Sequence, residues 1–325
     1  MKKTALITGI LGQDGAYLAQ FLLSKEYKIF GMIRRHPFQN FVNTDYLGVT
    51  KEIEFISGDM ADEASLMNIV RAVRPDEVYN LAAQSFVEDS WEQARLTTEV
   101  NALGVLYLLN AIKFFHPVAK FYQASTSEMF GNSSGMNATN EHTPFYPRSP
   151  YGISKLYAHW MTINFRESYG MFCASGILFN HESPLRGEEF VTRKIAKGAA
   201  EVKHGLQNAI SLGNLESKRD WGFAGDFVEA MWLMLQQEKA KDYVIATGET
   251  HSVANFLESA FMYVGIKEWR NYVTVDPRFM RPAEVHYLRG DASYAKQKLG
   301  WQPKVDFQAL VKLMVDAELE RLEHV

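Results

Sequence analysis

The stretch Gly9-Ile10-Leu11-Gly12-Gln13-Asp14-Gly15 decides the fold, because it joins an apolar run at residues 4–8 to an amphipathic run at residues 13–24. A strand, a glycine-rich turn and a helix in this order open a βαβ unit that binds a dinucleotide. The glycines allow a tight turn and a close approach of the backbone to a pyrophosphate, whose charge the helix N-terminus attracts. The spacing is G-x-x-G-x-x-G, and the alternative is an ordinary turn between a strand and a helix.

Short apolar runs alternate with helix-length amphipathic segments along the first half of the chain, which is typical of a parallel sheet covered by helices. The predicted strands are residues 4–8, 29–33, 54–56, 78–81, 121–124 and 172–178. The predicted helices are residues 13–24, 63–72, 103–114 and 151–169, followed by helices near 191–204, 226–237, 253–264 and 307–322. The pattern predicts an α/β protein with a Rossmann-like, doubly wound parallel sheet and a smaller C-terminal substrate lobe.

The same pattern predicts where the two parts divide. Residues 1–179 form a dinucleotide-binding Rossmann domain, and residues 180–325 form mainly a substrate-binding lobe that is interleaved with the first part. No Ser/Gly-rich linker separates them, so we expect one packed body.

Composition excludes several kinds of protein. Among 325 residues, 34 basic and 38 acidic side chains give a net charge of −4, which offers no electrostatic basis for binding nucleic acid or an anionic membrane. The single cysteine, Cys173, excludes an internal disulfide and indicates a reducing compartment. No apolar run approaches the roughly 20 residues needed to cross a bilayer. We therefore expect a cytoplasmic protein without a membrane or nucleic-acid partner.

The end of the second predicted strand indicates which dinucleotide binds. A protein that binds NAD places an acidic residue there, about 20 residues after the glycines, whereas this chain has Arg34 and Arg35. Two guanidinium groups suit the 2′-phosphate of NADP; the alternative is a solvated basic turn. Asp59 is a candidate for the adenine edge or a plain turn residue, and Leu81 and Ala82 lie where a cofactor would cross the sheet.

Tyr151-Gly152-Ile153-Ser154-Lys155 is a candidate catalytic motif. Positions four apart share one face of a helix, so Lys155 lies close to the Tyr151 phenol. An ammonium and the positive nicotinamide of an oxidised cofactor both favour the phenolate, which then removes a proton from a substrate hydroxyl. The alternative is a surface pair on an amphipathic helix.

Ser125-Thr126-Ser127-Glu128 follows a predicted strand. Ligands of open parallel sheets bind at the carboxyl ends of strands, so these side chains should face the cofactor. A hydroxyl of Thr126 or Ser125 can hold the reacting oxygen. Glu128 indicates a dehydration, since a carboxylate can remove the acidic proton beside a ketone and protonate a departing hydroxyl; the alternative is a solvated loop charge.

With these motifs, the chain resembles the GDP-mannose 4,6-dehydratase family of extended short-chain dehydrogenases/reductases along nearly its whole length. Further stretches that carry the resemblance are residues 121–128, 143–151, 178–184, 190–194, 219–222 and 281–284. His181-Glu182-Ser183-Pro184 stands where relatives acting on UDP-sugars usually have Tyr-Gly-Pro, which favours the GDP-sugar branch. His181 itself could be a packed loop histidine, and no metal site is expected.

The resemblance implies a function and a set of residues. It implies conversion of GDP-mannose to GDP-4-keto-6-deoxymannose by internal hydride transfer through a tightly held NADP. The implied catalytic residues are Thr126, Glu128, Tyr151 and Lys155. The implied contacts to the GDP-sugar are Ser85, Asn180, Val191, Lys194, Arg219, Arg281 and Glu284.

Alternatives remain at this point. A GDP-manno-heptose could be the substrate, or the enzyme could be an NADP-linked nucleotide-sugar epimerase or 4-ketoreductase, which needs Tyr151 and Lys155 but not Glu128. A binding module that holds NADP without turnover would lack the Tyr/Lys pair. The resemblance also implies a homodimer or homotetramer; residues 36–44 are shorter and chemically different from the family's subunit-bridging segment, so a dimer through helices 103–114 and 151–169 is the simpler expectation.

Overall fold

Thirteen strands occur in the computed structural model, which describes residues 2–133, 135–279 and 283–323. In chain order they are β1 (Thr4–Thr8), β2 (Lys28–Ile33), β3 (Ile53–Ser57), β4 (Glu77–Asn80), β5 (Lys120–Thr126), β6 (Cys173–Leu178), β7 (Asn180–Glu182), β8 (Ile210–Leu212), β9 (Lys218–Arg219), β10 (Trp221–Phe223), β11 (Asp242–Ile245), β12 (His251–Ser252) and β13 (Val273–Val275). Seven of these described strands form one parallel sheet in the order β3-β2-β1-β4-β5-β6-β11.

Helices cover both faces of this sheet. In chain order they are α1 (Gln13–Ser24), α2 (Val42–Tyr46), α3 (Glu63–Val73), α4 (Asp89–Glu92), α5 (Ala94–Thr98), α6 (Gly104–Phe115), α7 (Pro150–Tyr169), α8 (Val191–Lys203), α9 (Ala224–Leu235), α10 (Val253–Tyr263), α11 (Ser293–Leu299) and α12 (Phe307–Glu323). A π-helical segment, Glu99–Leu103, precedes α6, and short 3-10 helices lie at Thr50–Glu52, Ser127–Met129, Trp269–Tyr272 and Pro277–Phe279.

Strand periodicity explains the two layers. Successive side chains of a strand point to opposite faces, and both faces of a parallel sheet are buried. In β1, Leu6 packs into the core formed with α3, α6 and α7, whereas Ile7 packs into the core formed with α1 and α9. In β5, Phe121 and Tyr122 divide between these two cores in the same way.

The C-terminal lobe has a core of its own. Ile195 of α8, Phe256 and Phe261 of α10, and Leu310 and Met314 of α12 are buried against one another. Three small two-stranded sheets, β7 with β10, β9 with β12, and β8 with β13, complete the described part of this lobe. Because β7 directly follows β6, the lobe begins at the carboxyl edge of the main sheet.

The predicted doubly wound parallel sheet is confirmed. The sequence analysis identified six of its strands and missed the seventh, β11, which pairs with β6 although it comes from residues beyond 179. Helix α9, also beyond residue 179, packs on α1. The division at residue 179 therefore stays a prediction about where substrate binds, since the sheet itself continues past it.

No helix in the described ranges is both long and apolar enough to cross a membrane.

Candidate functional site

A cavity of about 1420 Å³ lies at the carboxyl ends of the parallel strands, between the sheet and the C-terminal lobe. This is the place where open α/β sheets bind ligands, next to the point where strand order reverses between β1 and β4. Each residue that the sequence analysis assigned to the site lines this cavity, except Arg281, which lies outside the described residues. Fold and sequence therefore converge on one site.

The glycine loop after β1 fits tightly against the loop after β4. Gly9 has a φ of +69°, and a Cβ atom there would lie 2.8 Å from Ala82 N and from the Leu81 carbonyl carbon. A Cβ at Gly15 would lie 2.4 Å from the Gly9 carbonyl oxygen. Gly12 occupies the N-cap of α1 without a capping side chain. The helix N-terminus is thus left to face the cavity, as binding of a pyrophosphate requires.

Buried hydrogen bonds hold the strand ends together beneath this loop. Thr8 Oγ1 donates to Asn80 Oδ1 at 2.7 Å and accepts from the backbone N–H groups of Leu81 and Ala82 at 3.1 Å. Asn80 Nδ2 donates in turn to Gln123 Oε1 at 2.8 Å. This chain of side chains links β1, β4 and β5 and fixes the floor of the cavity.

Three residues predicted to bind the adenosine end lie at one end of the cavity. Arg34 and Arg35 follow β2 and are exposed. Asp59 follows β3, and its Oδ1 accepts from Ala61 N at 2.9 Å. Asp59 therefore forms a turn, which was one of the two alternatives, and still lines the cavity; the N-cap of α3 is Asp62.

Local sequence sets the start of α7 and so the position of Tyr151. Ser149 Oγ accepts from Gly152 N at 3.0 Å as the N-cap, and Pro150 begins the helix, which is the preferred arrangement at a helix start. Tyr151 and Lys155 consequently lie one turn apart, both buried, with Lys155 Nζ 6.0 Å from the centre of the phenol ring. Lys155 Nζ donates to the Ala124 carbonyl at 2.8 Å.

Burial dominates the proton affinities of this pair. It raises the pKa of Tyr151 to about 12, although a hydrogen bond with Thr126 and the charge of Arg186 act in the opposite direction. It lowers the pKa of Lys155 to about 8. The sequence analysis expects the Lys155 ammonium and an oxidised nicotinamide together to favour the phenolate, and in the protein without cofactor burial keeps the Tyr151 phenol protonated. Further positive charge at the site is needed to favour the phenolate.

The residues at the carboxyl end of β5 and just after it divide into two roles. Ser125 Oγ lies 3.0 Å from His159 Nδ1, a buried partner on α7. Thr126 Oγ1 accepts from Glu128 N at 3.2 Å and is hydrogen-bonded with Tyr151. Of the two hydroxyls considered for the reacting oxygen, Thr126 is therefore the one beside the phenol. Glu128 is 8% exposed at the cavity wall, so the alternative of a solvated loop charge is wrong.

The predicted sugar-nucleotide contacts that the structure describes also line this cavity. They are Ser85 after β4, Asn180 in β7, Val191 and Lys194 in α8, Arg219 in β9, and Glu284. Lys194 Nζ lies 3.9 Å from the centre of the Phe279 ring, and Arg219 Nη2 lies 3.4 Å from Glu284 Oε1. Two basic groups therefore face the cavity from the lobe.

The sequence analysis missed Arg186 and did not foresee the pairing of His181. Arg186 lines the cavity with its guanidinium 3.5 Å from the Phe190 ring centre and pairs with Glu182 at 3.0 Å. His181 contacts the cofactor loop directly, because its Nε2 lies 2.7 Å from Asp14 Oδ2. The His181 contact has no local signal, since its partner is 167 positions away, whereas Arg186 contacts residues four positions before and after it.

Cys173 is fully buried, and burial raises the pKa of its thiol to about 12, as expected of a packing residue. Across the described ranges, no group of three or more His, Cys, Asp or Glu side chains is arranged to hold a metal ion.

The sheet order, the glycine loop and the Tyr/Lys pair define an extended short-chain dehydrogenase/reductase. Solved structures share the fold. A UDP-glucose 4-epimerase from Thermotoga maritima with UDP-glucose has a TM-score of 0.87 at 25% identity, covering 98% of this chain and 99% of that one. A UDP-glucose 4-epimerase from Thermus thermophilus in complex with NAD has a TM-score of 0.84 at 27% identity, covering 97% and 98%.

The particular family follows from sequence comparison. The family model for GDP-mannose 4,6 dehydratase matches residues 6–314. GDP-mannose 4,6 dehydratase 1 of Arabidopsis thaliana is 52% identical, covering 98% of this chain and 90% of that protein. The Homo sapiens GDP-mannose 4,6 dehydratase is 47% identical, covering 98% and 92%. The chain belongs to the GDP-mannose 4,6 dehydratase family.

Proposed function

We propose that the protein converts GDP-mannose to GDP-4-keto-6-deoxymannose, with NADP as a resident cofactor. The observation that carries this proposal is the convergence of Tyr151, Lys155, Thr126 and Glu128 on one cavity, since a redox pair together with a carboxylate is what a dehydration needs. The names of its relatives at 47–52% identity support the substrate.

The cavity fits a dinucleotide. Side chains larger than glycine at positions 9 and 15 would collide with backbone, and the uncapped start of α1 offers N–H groups to the pyrophosphate. Arg34 and Arg35 would hold the 2′-phosphate of NADP. When bound, NADP⁺ supplies a hydride acceptor for C4 of the sugar and later returns that hydride to C6. The bound NAD of the Thermus thermophilus relative supports a nicotinamide cofactor.

The first proton transfer falls to Tyr151. Its phenolate takes the proton of the C4 hydroxyl as C4 is oxidised to a ketone, and Thr126 holds the C4 oxygen. Since burial holds the phenol protonated in the protein alone, the positive charges of Lys155 and of the oxidised nicotinamide favour the phenolate once the site is filled. The base is therefore activated when the cofactor is present.

Glu128 acts as the base and acid for the elimination of water. A ketone at C4 makes the C5 proton acidic, so a carboxylate at this position removes it and then protonates the hydroxyl that leaves C6 as water. Once C6 has received hydride, C5 would take up one proton, which balances the proton that Tyr151 removed from the C4 hydroxyl. The net change is loss of one water from the sugar with no net oxidation.

An isotope experiment tests the whole reaction. Purified protein is incubated with GDP-mannose and catalytic NADP⁺ in deuterated water, and the sugar nucleotide is followed by mass spectrometry. We expect loss of one water, retention of one deuterium and no net accumulation of NADPH. An unchanged mass with inversion at C4 or C5 would point to an epimerase, and turnover only of a GDP-manno-heptose would change the substrate.

The role of Glu128 is tested by Glu128→Gln. This variant should still oxidise C4, seen as NADPH absorbance in a single turnover, but lose dehydration by about 10²–10⁴-fold. Glu167→Gln, an exposed carboxylate on α7, is the matched control and should behave as the wild type. Undiminished dehydration by Glu128→Gln would remove Glu128 from the mechanism.

The choice of NADP over NAD is tested at the paired arginines. In Arg34→Ala/Arg35→Ala, affinity for NADP⁺ should fall at least tenfold while affinity for NAD⁺ is retained, because only NADP⁺ carries the 2′-phosphate. Equal losses for both dinucleotides would contradict the assignment.

We further propose a homodimer through α6 and α7, with a homotetramer as the larger alternative. Ile153 and Trp160 on α7 are 57% and 55% exposed, and Leu96 on α5 is 41% exposed, an apolar surface that a second copy would cover. Light scattering should give twice the chain mass, and Trp160→Glu should shift the protein toward monomer. A wild-type monomer would refute the proposal.

A further inference from the structure

A largely buried ion pair connects the cofactor loop to β7. His181 Nε2 lies 2.7 Å from Asp14 Oδ2, and His181 Nδ1 lies 2.7 Å from the Phe179 carbonyl oxygen. The side chains of His181 and Asp14 are 12% and 22% exposed. A carboxylate and a carbonyl can only accept hydrogen bonds, so both ring nitrogens must donate, which requires the imidazolium form.

The environment supports opposite charges on the two groups. Burial lowers the pKa of His181, but the Asp14 carboxylate, its hydrogen bond and the Phe179 carbonyl outweigh burial and raise it. Burial raises the pKa of Asp14, but the charge of His181 and hydrogen bonds from His181 and Gln13 outweigh burial and lower it. Both shifts favour the ion pair.

A second set of hydrogen bonds joins the cofactor loop to β7 and the residues after it. Gln13 Nε2 donates to the His181 carbonyl at 3.1 Å, and Ser183 Oγ donates to Gln13 Oε1 at 2.8 Å. The His181 ring stacks on Phe227 of α9, with ring centres 4.7 Å apart and an interplanar angle of 21°. Thus both non-glycine residues of Gly12-Gln13-Asp14-Gly15 are used to fasten β7 and the turn after it.

The titratable groups that act on this pair come from several elements. From α7 and β5, buried Lys155, Tyr151 and Tyr122 interact electrostatically with the Asp14 carboxylate. Asp14 faces His181 from α1, and Arg186 faces both from the turn after β7. Arg186 is itself paired with Glu182, whose Oε2 also accepts from Thr192. From α9, the neighbour is the uncharged Phe227 ring.

The position of Asp14 creates a problem for an anionic ligand. Asp14 lies in the first turn of α1, the helix whose free N–H groups would receive a pyrophosphate. An unpaired carboxylate there repels the phosphates at close range, whereas a carboxylate neutralised by an imidazolium does not.

We propose that Asp14 and His181 act as positioning residues, forming a charged clasp between the cofactor loop and β7, and that the protonated His181 lets this loop accept an anionic dinucleotide. The inference rests on the proposed cofactor site. It goes beyond that site because it makes the affinity for dinucleotide depend on protonation of His181, which takes no part in the reaction itself.

Titration of the protein without cofactor tests the clasp itself. His181 is followed by NMR of its ring C–H group, identified as the signal lost in His181→Phe, a variant that retains an aromatic ring against Phe227. The His181 pKa should lie above ~6.5 in the wild type and fall in Asp14→Asn. An unchanged His181 pKa in Asp14→Asn overturns the clasp, whatever the cofactor does.

Calorimetric titration with NADP⁺ and NAD⁺ across pH then tests its role. Both are used because the 2′-phosphate itself titrates near pH ~6. Wild-type affinity for either dinucleotide should fall about tenfold as pH rises through the His181 pKa. In Asp14→Asn the fall in NAD⁺ affinity should move to lower pH, following the lowered His181 pKa. His181→Phe should bind about tenfold more weakly than wild type at low pH. His204→Phe is the matched control, because exposed His204 makes a similar ring-to-carbonyl bond to Ala200 outside the cavity, and it should follow the wild type.

The outcomes separate the two proposals. Equal wild-type affinity for NADP⁺ and NAD⁺, with the expected pH dependence, would refute the 2′-phosphate assignment and leave the clasp standing. Wild-type affinity that is constant through the His181 pKa would overturn the role of the clasp and leave the cofactor site standing. Melting temperatures of all variants verify that they fold.

Discussion

Replacing Gly9 by alanine is a direct test of the cofactor loop, and the structure supplies its magnitude. At a φ of +69°, an alanine is strained by roughly 1–2 kcal/mol. In addition, its Cβ would lie 2.8 Å from Ala82 N, about 0.6 Å inside the 3.4 Å at which ordinary contact begins. Since the atom in the way is backbone, the loop must move, at a further cost of about 1–3 kcal/mol.

Gly170 provides a matched control. It ends α7 with a φ of +65°, and a Cβ there meets nothing within 4 Å. Gly170→Ala therefore carries the same backbone strain without the collision. We expect Gly9→Ala to lower the free energy of unfolding by about 2–5 kcal/mol and Gly170→Ala by about 1–2 kcal/mol.

Two measurements decide the matter. Urea unfolding followed by tryptophan fluorescence gives the free energy of unfolding of each variant. The rise in melting temperature with saturating NADP⁺ shows whether the cofactor loop still binds the dinucleotide. The rise should be retained in Gly170→Ala and strongly reduced in Gly9→Ala. If the two variants lose equal stability and gain equally from NADP⁺, the close packing of the loops after β1 and β4 does not shape the site.

Two further predictions concern buried charges. Lys155→Met should be inactive yet about 3 kcal/mol more stable than wild type at pH 7, because burial lowers the pKa of Lys155 to about 8. That gain should shrink as pH rises above about 8, where the wild-type lysine loses its proton and its destabilising charge; urea unfolding at several pH values would show a constant difference if this is wrong. Asp220 accepts four hydrogen bonds, from Thr247 N and Oγ1, Gly248 N and Gly290 N. Burial raises its pKa to about 6, so wild-type stability should fall as pH rises from about 4 to about 6. Asp220→Asn should lack this dependence of stability on pH, and its free energy of unfolding should fall by about 2 kcal/mol. It should also bind substrate more weakly, because Arg219 is the neighbouring residue. An unchanged pH dependence and an unchanged KM would show that Asp220 does not support this part of the site.

Some of the molecule was predictable because the signals are local. The glycine loop lies between a strand and a helix that are contiguous with it, and Ser149-Pro150 and Gly170 set the ends of α7 through local capping. Tyr151 and Lys155 share a face through helical periodicity. The parallel sheet followed in the same way, from alternation of short apolar runs and helices.

Other features exist only through distant contacts. Strand β11 joins the sheet by pairing with β6, each residue with a partner 67 positions earlier in the chain. Its four residues, Asp242–Ile245, are too few for periodicity to distinguish from a buried helix segment.

The proton affinities of the site residues also depend on distant contacts. The spacing of Tyr151 and Lys155 indicates attraction between phenolate and ammonium, but the balance is set by how much water the fold removes, and burial raises the pKa of Tyr151 to about 12. Residue types and their spacing along the chain thus determined the fold class, the glycine loop and the Tyr151/Lys155 pair, and the family resemblance added the expected sugar-nucleotide contacts. Only the tertiary structure decided the pairing of Asp14 with His181, the position of Arg186 and the desolvation of the base, because electrostatic energies depend on distances and solvent exposure that a linear sequence does not contain.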